Sequence, residues 1–237
     1  MAGKLSNGIP KLIHQIWSGK YEPLPPRYDA FCQTWKELHP DFEYRFWMEA
    51  DINDFVSTHF PQYEAKYKNF PHDIQRWDTI RYMILHKLGG IYVDVDYECL
   101  KNIAELIDQS SCFFALEPKS HSDQFERELV FNNALMGCVP AHPFIEEAIQ
   151  YCFREEIDAT PVDLWGVLTS SGPLMLHTVY EQSKHKNSVD LLPAELVSPL
   201  TKTEADLFFD GNRDSYFMKK VEKAYAIHYF RGTWLEA

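Results

Sequence analysis

The sequence has few cysteines, no long apolar run and no cluster of basic residues. Its five cysteines are odd in number and form no C-x-x-C pair, which argues against a disulfide framework or a zinc knuckle and favours a reducing compartment. No segment approaches the roughly 18 apolar residues of a membrane span, and residues 1–8 lack the apolar stretch of a signal peptide. These absences predict a cytoplasmic protein without a transmembrane segment. Peripheral contact with the inner membrane face, or loss of an N-terminal anchor, are the alternatives.

The chain is also short of positive charge. Lys and Arg total 23 against 35 Asp and Glu, which gives a formal net charge of −12. Such a chain repels the phosphates of nucleic acid, and because no basic stripe offsets this, we expect no nucleic-acid partner. A diphosphate ligand would be repelled as well, unless a local cation or a metal reverses the field at its site.

Apolar residues are plentiful enough for a sizeable core, since 45% of the 237 residues are hydrophobic and 15% are aromatic. The length favours one domain over residues 1–237. Strand patterns alternate with segments of helical periodicity, which indicates an α/β fold with a layered sheet. The predicted strands cover residues 12–17, 42–47, 91–96, 112–116 and 225–230, with 129–137 as strand or loop; the predicted helices cover 31–38, 74–88, 143–154 and 173–183, and the proline-rich residues 22–26 form a loop.

The strongest chemical signal is the segment from Gly89 to Asp96. Its alternation places Asp94 and Asp96 on one face of a strand, roughly 7 Å apart, where a hydrophobic strand ends. Ligands of open α/β sheets bind at that edge. Two carboxylates so close repel each other unless a cation lies between them, and hard oxygen ligands suit Mg²⁺ or Mn²⁺. The competing interpretation is a pair of solvated acids at a strand end.

Asp78 and Arg81 lie at i and i+3 of the preceding predicted helix and therefore share one of its faces. Trp77 and Leu85 would pack this helix against the core, so that the face with Asp78 and Arg81 runs towards the same rim as Asp94. The alternative is a surface ion pair that contributes little.

Five ordered blocks of the sequence resemble the DXD-containing sugar-transferase family, glycosyltransferase family 32, with its yeast-type α-mannosyltransferases and bacterial capsule transferases of polysaccharide biosynthesis. The pattern is also similar to the catalytic domains of the clostridial glucosylating toxins. The blocks are residues 9–17 with 35–47, then 78–96, 132–134, 171–173 and 228–234. The resemblance implies a GT-A type fold, in which helices flank a Rossmann-like mixed sheet. It also implies a divalent metal, Mn²⁺ or Mg²⁺, and hexose transfer with retention of the anomeric configuration.

The resemblance also implies roles for individual residues. The donor would be a UDP- or GDP-hexose, and the acceptor a glycan, a lipid-linked glycan or a protein. Trp17 would stack on the base, although a core tryptophan is the alternative, and His228 would be a third metal ligand, although a core histidine is the alternative. The assigned residues are Asp78, Arg81, Asp94 and Asp96 as catalytic, Gln15, Trp17, Tyr92, Asn133 (or Asn132), Gly172 and Trp234 as donor-binding, and Asp94, Asp96 and His228 as metal ligands.

Two other functions compete with this one. A phosphohydrolase of the haloacid dehalogenase type also uses D-x-D after a hydrophobic strand, but usually in the first strand of the chain, whereas 93 residues precede Asp94. A catalytically silent sugar-nucleotide-binding protein is the second alternative, although all four predicted catalytic residues are present. Acceptor binding is expected from the variable segments 117–128 and 184–215.

Overall fold

The computed structural model describes residues 8–155 and 163–232. Strands and helices alternate along these two ranges, as the sequence predicts. The strands are β1 (Leu12–Ile16), β2 (Glu43–Trp47), β3 (Gly90–Val93), β4 (Tyr97–Cys99), β5 (Cys112–Leu116), β6 (Phe131–Cys138), β7 (Asp190–Leu192) and β8 (Ala226–His228). The helices are α1 (Pro26–Leu38), α2 (Glu49–His59), α3 (Glu64–Lys68), α4 (Asp73–Leu88), α5 (Ala104–Ile107), α6 (Lys119–Gln124), α7 (Pro143–Cys152), α8 (Leu164–Ser170), α9 (Pro173–Gln182), α10 (Ala194–Val197), α11 (Lys202–Phe209) and α12 (Ser215–Val221), with a 3₁₀ helix at Lys186–Ser188.

In the described part of the chain, six strands form one mixed sheet in the order β2-β1-β3-β6-β5-β7. The pairs β2–β1, β1–β3 and β5–β7 are parallel, whereas β6 runs antiparallel to both β3 and β5. The carboxyl ends of β1, β3 and β5 therefore meet the beginning of β6 at one edge. This edge is where the candidate site lies.

Alternating side chains bury both faces of this sheet. On β3, Tyr92 packs into one apolar cluster with residues of α4, α7 and α9, while Ile91 and Val93 pack into a second cluster with Trp35 of α1. On β5, Phe114 packs into the first cluster and Phe113 into the second. A strand with large apolar residues on both faces is typical of a sheet covered by helices on both sides.

Gly89 and Gly90 end α4 and start β3, as predicted. Both have positive φ, at +66° and +96°, a region that side chains rarely adopt. A Cβ at Gly90 would collide with the backbone carbonyl of Leu12 on β1. The pair therefore allows a sharp turn from helix to strand, together with close approach of β1 to β3.

Two predicted boundaries are wrong. The strand predicted for residues 91–96 ends at Val93, because Asp94 to Asp96 form a turn before β4 begins at Tyr97. The predicted proline loop overlaps α1, which starts at Pro26. A proline fits the first position of a helix because its missing N–H has no partner there and its φ is already helical.

A second, two-stranded sheet pairs β4 with β8 in antiparallel register. This register places His228 opposite Tyr97, and it is the long-range contact that brings the C-terminal part of the chain to the site. The cysteines are free and buried. None of the helices in residues 8–155 and 163–232 combines the length and apolar character needed to cross a bilayer.

Candidate active site

A cavity of about 540 Å³ runs along the sheet edge where β1, β3 and β5 end and β6 begins. Helix α4 borders one side of it, and the segment that follows β8 borders the other. Most of the predicted site residues meet here. Those that line the cavity are Trp17, Asp78, Arg81, Tyr92, Asp94, Asp96, Asn132, Asn133 and His228.

Asp94 and Asp96 converge through a turn, not through the strand alternation that the sequence suggested. The Tyr97 N–H donates to the Asp94 carbonyl (3.2 Å) and closes this turn. Asp94 itself continues the β3–β6 ladder, since its N–H donates to Ala134 O (2.8 Å). One oxygen of each carboxylate and one ring nitrogen of His228 all lie within 4.8 Å of one another.

Asp94 is held from the α4 side. Its Oδ2 lies 3.3 Å from Arg81 Nη1, and its Oδ1 accepts a hydrogen bond from the Tyr92 hydroxyl (2.5 Å). Burial raises the pKa of the Asp94 carboxyl above its usual value; Arg81 opposes the rise and the neighbouring Asp96 adds to it. The turn thus brings the carboxylates of Asp94 and Asp96 together. Arg81 alone does not neutralise their negative charge.

Asp96 is held from the β8 side. Its Oδ2 accepts a hydrogen bond from the Arg231 N–H (2.8 Å), and its Oδ1 lies 3.4 Å from His228 Nε2. Burial alone would raise the pKa of Asp96, but His228 and the Arg231 N–H outweigh that and hold the pKa below its usual value. The two carboxylates of one turn therefore have opposite environments.

His228 is oriented by contacts on three sides. Its ring stacks on Tyr97, with centroids 4.7 Å apart and planes at 3°, and it also packs against Phe230. The Asn132 side-chain nitrogen lies 3.0 Å from Nδ1, so that Nε2 faces Asp96. Two carboxylates and an imidazole converging on one point, with unneutralised negative charge between them, fit a divalent cation.

Asp78 and Arg81 are not a surface ion pair, since their side chains are only 6% and 8% exposed and lie 3.3 Å apart. Asp78 also accepts hydrogen bonds from Asn133 Nδ2 and Ser171 Oγ, both 3.0 Å long. Arg81 further donates to the carbonyls of Asn133 (3.2 Å) and Trp77 (3.1 Å). Burial raises the pKa of Asp78, and Arg81 opposes this rise. These contacts hold the side chains of Asp78 and Arg81 in place on the α4 side of the cavity.

Trp17 follows β1 at the far end of the cavity and is partly exposed. Its indole N–H donates to Glu22 O (2.9 Å), and its ring meets Tyr28 edge-on, with centroids 6.1 Å apart. The N–H is therefore committed to the protein. An aromatic base could stack on the face of the ring that lies on the cavity side.

Two of the predicted donor-binding residues, Gln15 and Gly172, do not line the cavity. Gln15 is fully buried behind Asp94, where its Nε2 donates to the Asp94 carbonyl (3.3 Å) and its Oε1 accepts from the Tyr44 hydroxyl (2.6 Å). Gly172 is buried at the start of α9, and its neighbour Pro173 lines the cavity instead. Trp234 lies outside the described residues.

The structure also brings residues to the cavity that the sequence did not single out as site residues. They come from loops or from helical faces that carry no motif, so only the topology identifies them. Trp77 was expected only to pack its helix, whereas here it lines the cavity beside Tyr21. The added residues are Tyr21, Glu22, Tyr28 and Trp77, whereas Glu117 begins the segment 117–128 expected to bind acceptor and Arg231 belongs to the block 228–234.

Comparison with known proteins supports the family resemblance. Residues 25–113 match the model of the family described as glycosyltransferase sugar-binding region containing DXD motif. Inositol phosphoceramide mannosyltransferase 3 of Schizosaccharomyces pombe is 31% identical over 175 residues, which are 74% of this chain and 46% of that protein. Mannosyl phosphorylinositol ceramide synthase SUR1 of Saccharomyces cerevisiae is 30% identical over 176 residues, 74% of this chain and 43% of that protein. The family resemblance is confirmed, although the chain spans less than half the length of these relatives.

Solved structures agree on the fold. The PaToxG glycosyltransferase aligns with a TM-score of 0.55 and 15% identity, covering 92% of this chain and 89% of that one. The UDP-bound glycosyltransferase domain of the YGT toxin aligns with a TM-score of 0.55 and 9% identity, covering 91% and 89%. The predicted GT-A type fold, a mixed sheet flanked by helices, is thereby confirmed.

Proposed function

We propose that residues 1–237 form one catalytic domain of a metal-dependent, retaining hexosyltransferase that uses a nucleoside-diphosphate sugar. The observation that carries the proposal is the meeting of two constellations in one cavity. Asp94, Asp96 and His228 form a cation site, and Asp78, Arg81 and Asn133 form a buried polar network beside it. A diphosphate needs the first and a sugar with several hydroxyls fits the second.

The metal would be held by Asp94, Asp96 and His228, and the imidazole favours Mn²⁺ over Mg²⁺. When bound, it would neutralise charge on the diphosphate that leaves the sugar. The chain's own contribution is to hold the two carboxylates and the ring in place. Tyr92 and Arg81 fix Asp94, the Arg231 N–H fixes Asp96, and stacking on the Tyr97 ring fixes the plane of His228.

The donor would lie along the sheet edge, with its base on Trp17 and its hexose near Asp78 and Asn133. An aromatic ring stacks on a base without distinguishing its hydrogen-bond donors and acceptors. Trp17 therefore suits either UDP or GDP. Mannose is our first candidate for the hexose, because the two relatives described above carry mannosyl transfer in their names. Those names also suggest an inositol-phosphate-bearing lipid as acceptor.

We propose retention without a covalent sugar–enzyme intermediate. A covalent route needs a carboxylate with a free oxygen beneath the anomeric carbon. Asp78 is the carboxylate assigned to the donor sugar, but Asn133 and Arg81 engage its Oδ1 and Ser171 its Oδ2. These contacts favour hydroxyl binding by Asp78, with departure and attack on the same face of the sugar.

The test is a donor panel of GDP-mannose, UDP-glucose and UDP-galactose, each with Mn²⁺ and with phosphatidylinositol in mixed micelles. We expect one donor to release its nucleoside diphosphate and a glycolipid whose anomeric configuration, read by NMR, matches the donor's. Inversion would exclude the retaining mechanism. Release of inorganic phosphate alone would favour a phosphohydrolase, and donor binding without any turnover would favour a silent sugar-nucleotide-binding protein.

A further inference from the structure

Glu117 is a cavity-lining carboxylate for which the proposed reaction has given no role so far. It follows β5, and its N–H donates to Val130 O (3.0 Å), which extends the β5–β6 pairing by one step. Its side chain is 16% exposed. Oε2 accepts a hydrogen bond from His121 Nδ1 (2.8 Å), whereas Oε1 has no hydrogen-bond partner among residues 8–155 and 163–232. One oxygen is thus anchored and the other is available to a ligand.

The anchor on Glu117 has a defined direction. The backbone N–H of Lys202, at the start of α11, lies 3.0 Å from His121 Nε2 and can only donate. Nε2 must therefore carry the lone pair, and in the neutral ring Nδ1 carries the proton that it donates to Glu117. The ring also packs against Phe230, with centroids 4.9 Å apart. His121 consequently holds Glu117 in one rotamer.

The order of strands places Glu117 beyond the donor. Along the edge, β1 presents Trp17, β3 leads into Asp94, β6 presents Asn133, and β5 presents Glu117. A donor laid out as base, diphosphate and sugar fills the first three positions in that order. Glu117 then faces the side of the sugar from which an acceptor reaches it.

Charge supports the same assignment. A carboxylate with a free oxygen repels a diphosphate and accepts hydrogen bonds from neutral hydroxyls. The donor sugar already has Asp78 and Asn133 for its hydroxyls. An acceptor polyol therefore remains as the group that fits Glu117.

We infer that Glu117 is an acceptor-binding residue, whose Oε1 accepts a hydrogen bond from a hydroxyl of a polyol acceptor such as an inositol ring, and that His121 is its positioning residue. The inference rests on the proposed function and adds to it the recognition of the acceptor. It involves binding alone, and no proton or sugar is transferred to Glu117.

The experiment uses the full chain with GDP-mannose and Mn²⁺, and with myo-inositol or phosphatidylinositol micelles as acceptor probes. Glu117→Gln keeps the size of the side chain but has one acceptor oxygen for two donors. We expect its kcat/KM for the probes to fall about 10- to 100-fold, the range for one hydrogen bond to a charged group, mainly through KM. Binding of GDP with Mn²⁺ and hydrolysis of GDP-mannose by water should stay within about twofold of wild type. Glu195→Gln, the same change at an exposed residue of α10, is the matched control.

Two His121 variants separate positioning from simple structural support. His121→Asn places an N–H near the position of Nδ1 and should keep the acceptor KM near that of wild type. His121→Gln places its amide near Nε2 and should raise the KM as Glu117→Gln does. Equal effects of the two variants, or effects that follow their melting temperatures, would overturn the positioning role.

Two further results decide the inference on Glu117. Unchanged acceptor KM in Glu117→Gln would refute it, as would an equal loss of GDP binding. If wild type hydrolyses GDP-mannose but glycosylates neither probe, the acceptor class is wrong and the inference falls, while donor use stands. Absence of any binding of either GDP or UDP with Mn²⁺ would instead contradict the proposed function itself.

Discussion

The two aspartates of one turn belong to two different walls of the cavity. The α4 wall, made by Asp78, Arg81, Asn133 and Asp94, is a buried network in which a guanidinium is shared between two carboxylates. The β8 wall, made by Asp96, His228 and Arg231, uses an imidazole and a backbone N–H instead. The α4 wall thus carries its own cation.

The pKa values of the two carboxylates reflect this difference. Burial holds the pKa of Asp94 above its usual value despite Arg81, and His228 with the Arg231 N–H holds that of Asp96 below its usual value. A metal between the walls would supply the positive charge that the pair lacks. We therefore expect the α4 wall to fix the geometry of the site. We expect the β8 wall to depend on the metal.

Asp96→Asn should have the largest effect on turnover. We expect a loss of about 10³-fold, the upper range for removing one group that stabilises developing charge, because a metal ligand is lost. The melting temperature should change little, because the amide oxygen can still accept the Arg231 N–H. Asp94→Asn should lower both turnover and melting temperature, because it also takes a partner from buried Arg81.

Asp54→Asn, the same change at an exposed residue of α2, is the control for both variants. Steady-state kinetics and calorimetry measure the two properties. Equal melting temperatures of the Asp94 and Asp96 variants would contradict the contrast between the walls.

Most of the α4 wall could be predicted from the sequence. Asp78 and Arg81 share a helical face, and Gly89-Gly90 fixes where that helix ends, so that helical periodicity and one turn suffice to bring them near Asp94. The error concerned the strand. A pattern of alternating apolar residues extends through Val95, but the chain turns after Val93, and a turn of this kind has no distinctive residue here.

Arg81→Lys should have the next largest effect and should not restore function. An ammonium group cannot make the parallel contacts that the guanidinium makes with Asp78, Asp94 and the Asn133 carbonyl. We expect turnover to fall about 100-fold. Near wild-type turnover in this variant would mean that Arg81 contributes only its charge. The control is Lys87→Arg, at an exposed residue of α4. Lys66 on α3 is less suitable because it binds backbone carbonyls.

Apart from Asp96, the β8 wall was predicted as a metal site through His228, and only from the family resemblance. Its position depends on the pairing of β4 with β8, which joins residues more than 120 apart in the chain. No local pattern encodes such a contact. For the same reason Tyr28 was not predicted as a site residue, because it reaches the cavity through topology alone, while the sequence indicated Glu117 and Arg231 only as members of the segments 117–128 and 228–234.

Acid should destabilise the fold through His14, which contacts the C-terminal end of α4. This buried residue donates from Nε2 to Gly89 O (2.9 Å) at the end of α4, and its Nδ1 accepts from Trp47 (3.2 Å). Burial lowers the pKa of His14 from 6.5 to about 4. The unfolded chain therefore binds this proton at higher pH than the folded chain does, so that stability is full above pH 6.5 and falls towards pH 4.

Between about pH 6.5 and pH 5 we expect His14 to account for a loss of about 2 kcal/mol in the free energy of unfolding. Other buried histidines with lowered pKa act in the same direction, so the relevant quantity is the difference between two profiles. Urea unfolding of wild type and His14→Gln at several pH values measures it. Parallel profiles would show that His14 does not sense acid.

Trp17→Ala should have the smallest effect, because Trp17 belongs to neither wall. We expect nucleoside diphosphate affinity to fall by about 1 kcal/mol, the lower end of the range for a base on an aromatic ring, since Trp17 is only partly exposed. Fluorescence titration with GDP and UDP measures this. Unchanged affinity with a strongly lowered melting temperature would return Trp17 to a core role.

We expect Asp94, Asp96 and His228 to hold a divalent metal through which the diphosphate binds. Isothermal titration calorimetry of wild type with GDP and with UDP, in Mn²⁺ and in EDTA, measures this dependence. We predict binding in Mn²⁺, at least 100-fold weaker binding in EDTA, and in His228→Ala a higher Mn²⁺ concentration for half-maximal binding. Equal affinity in Mn²⁺ and EDTA would contradict this expectation.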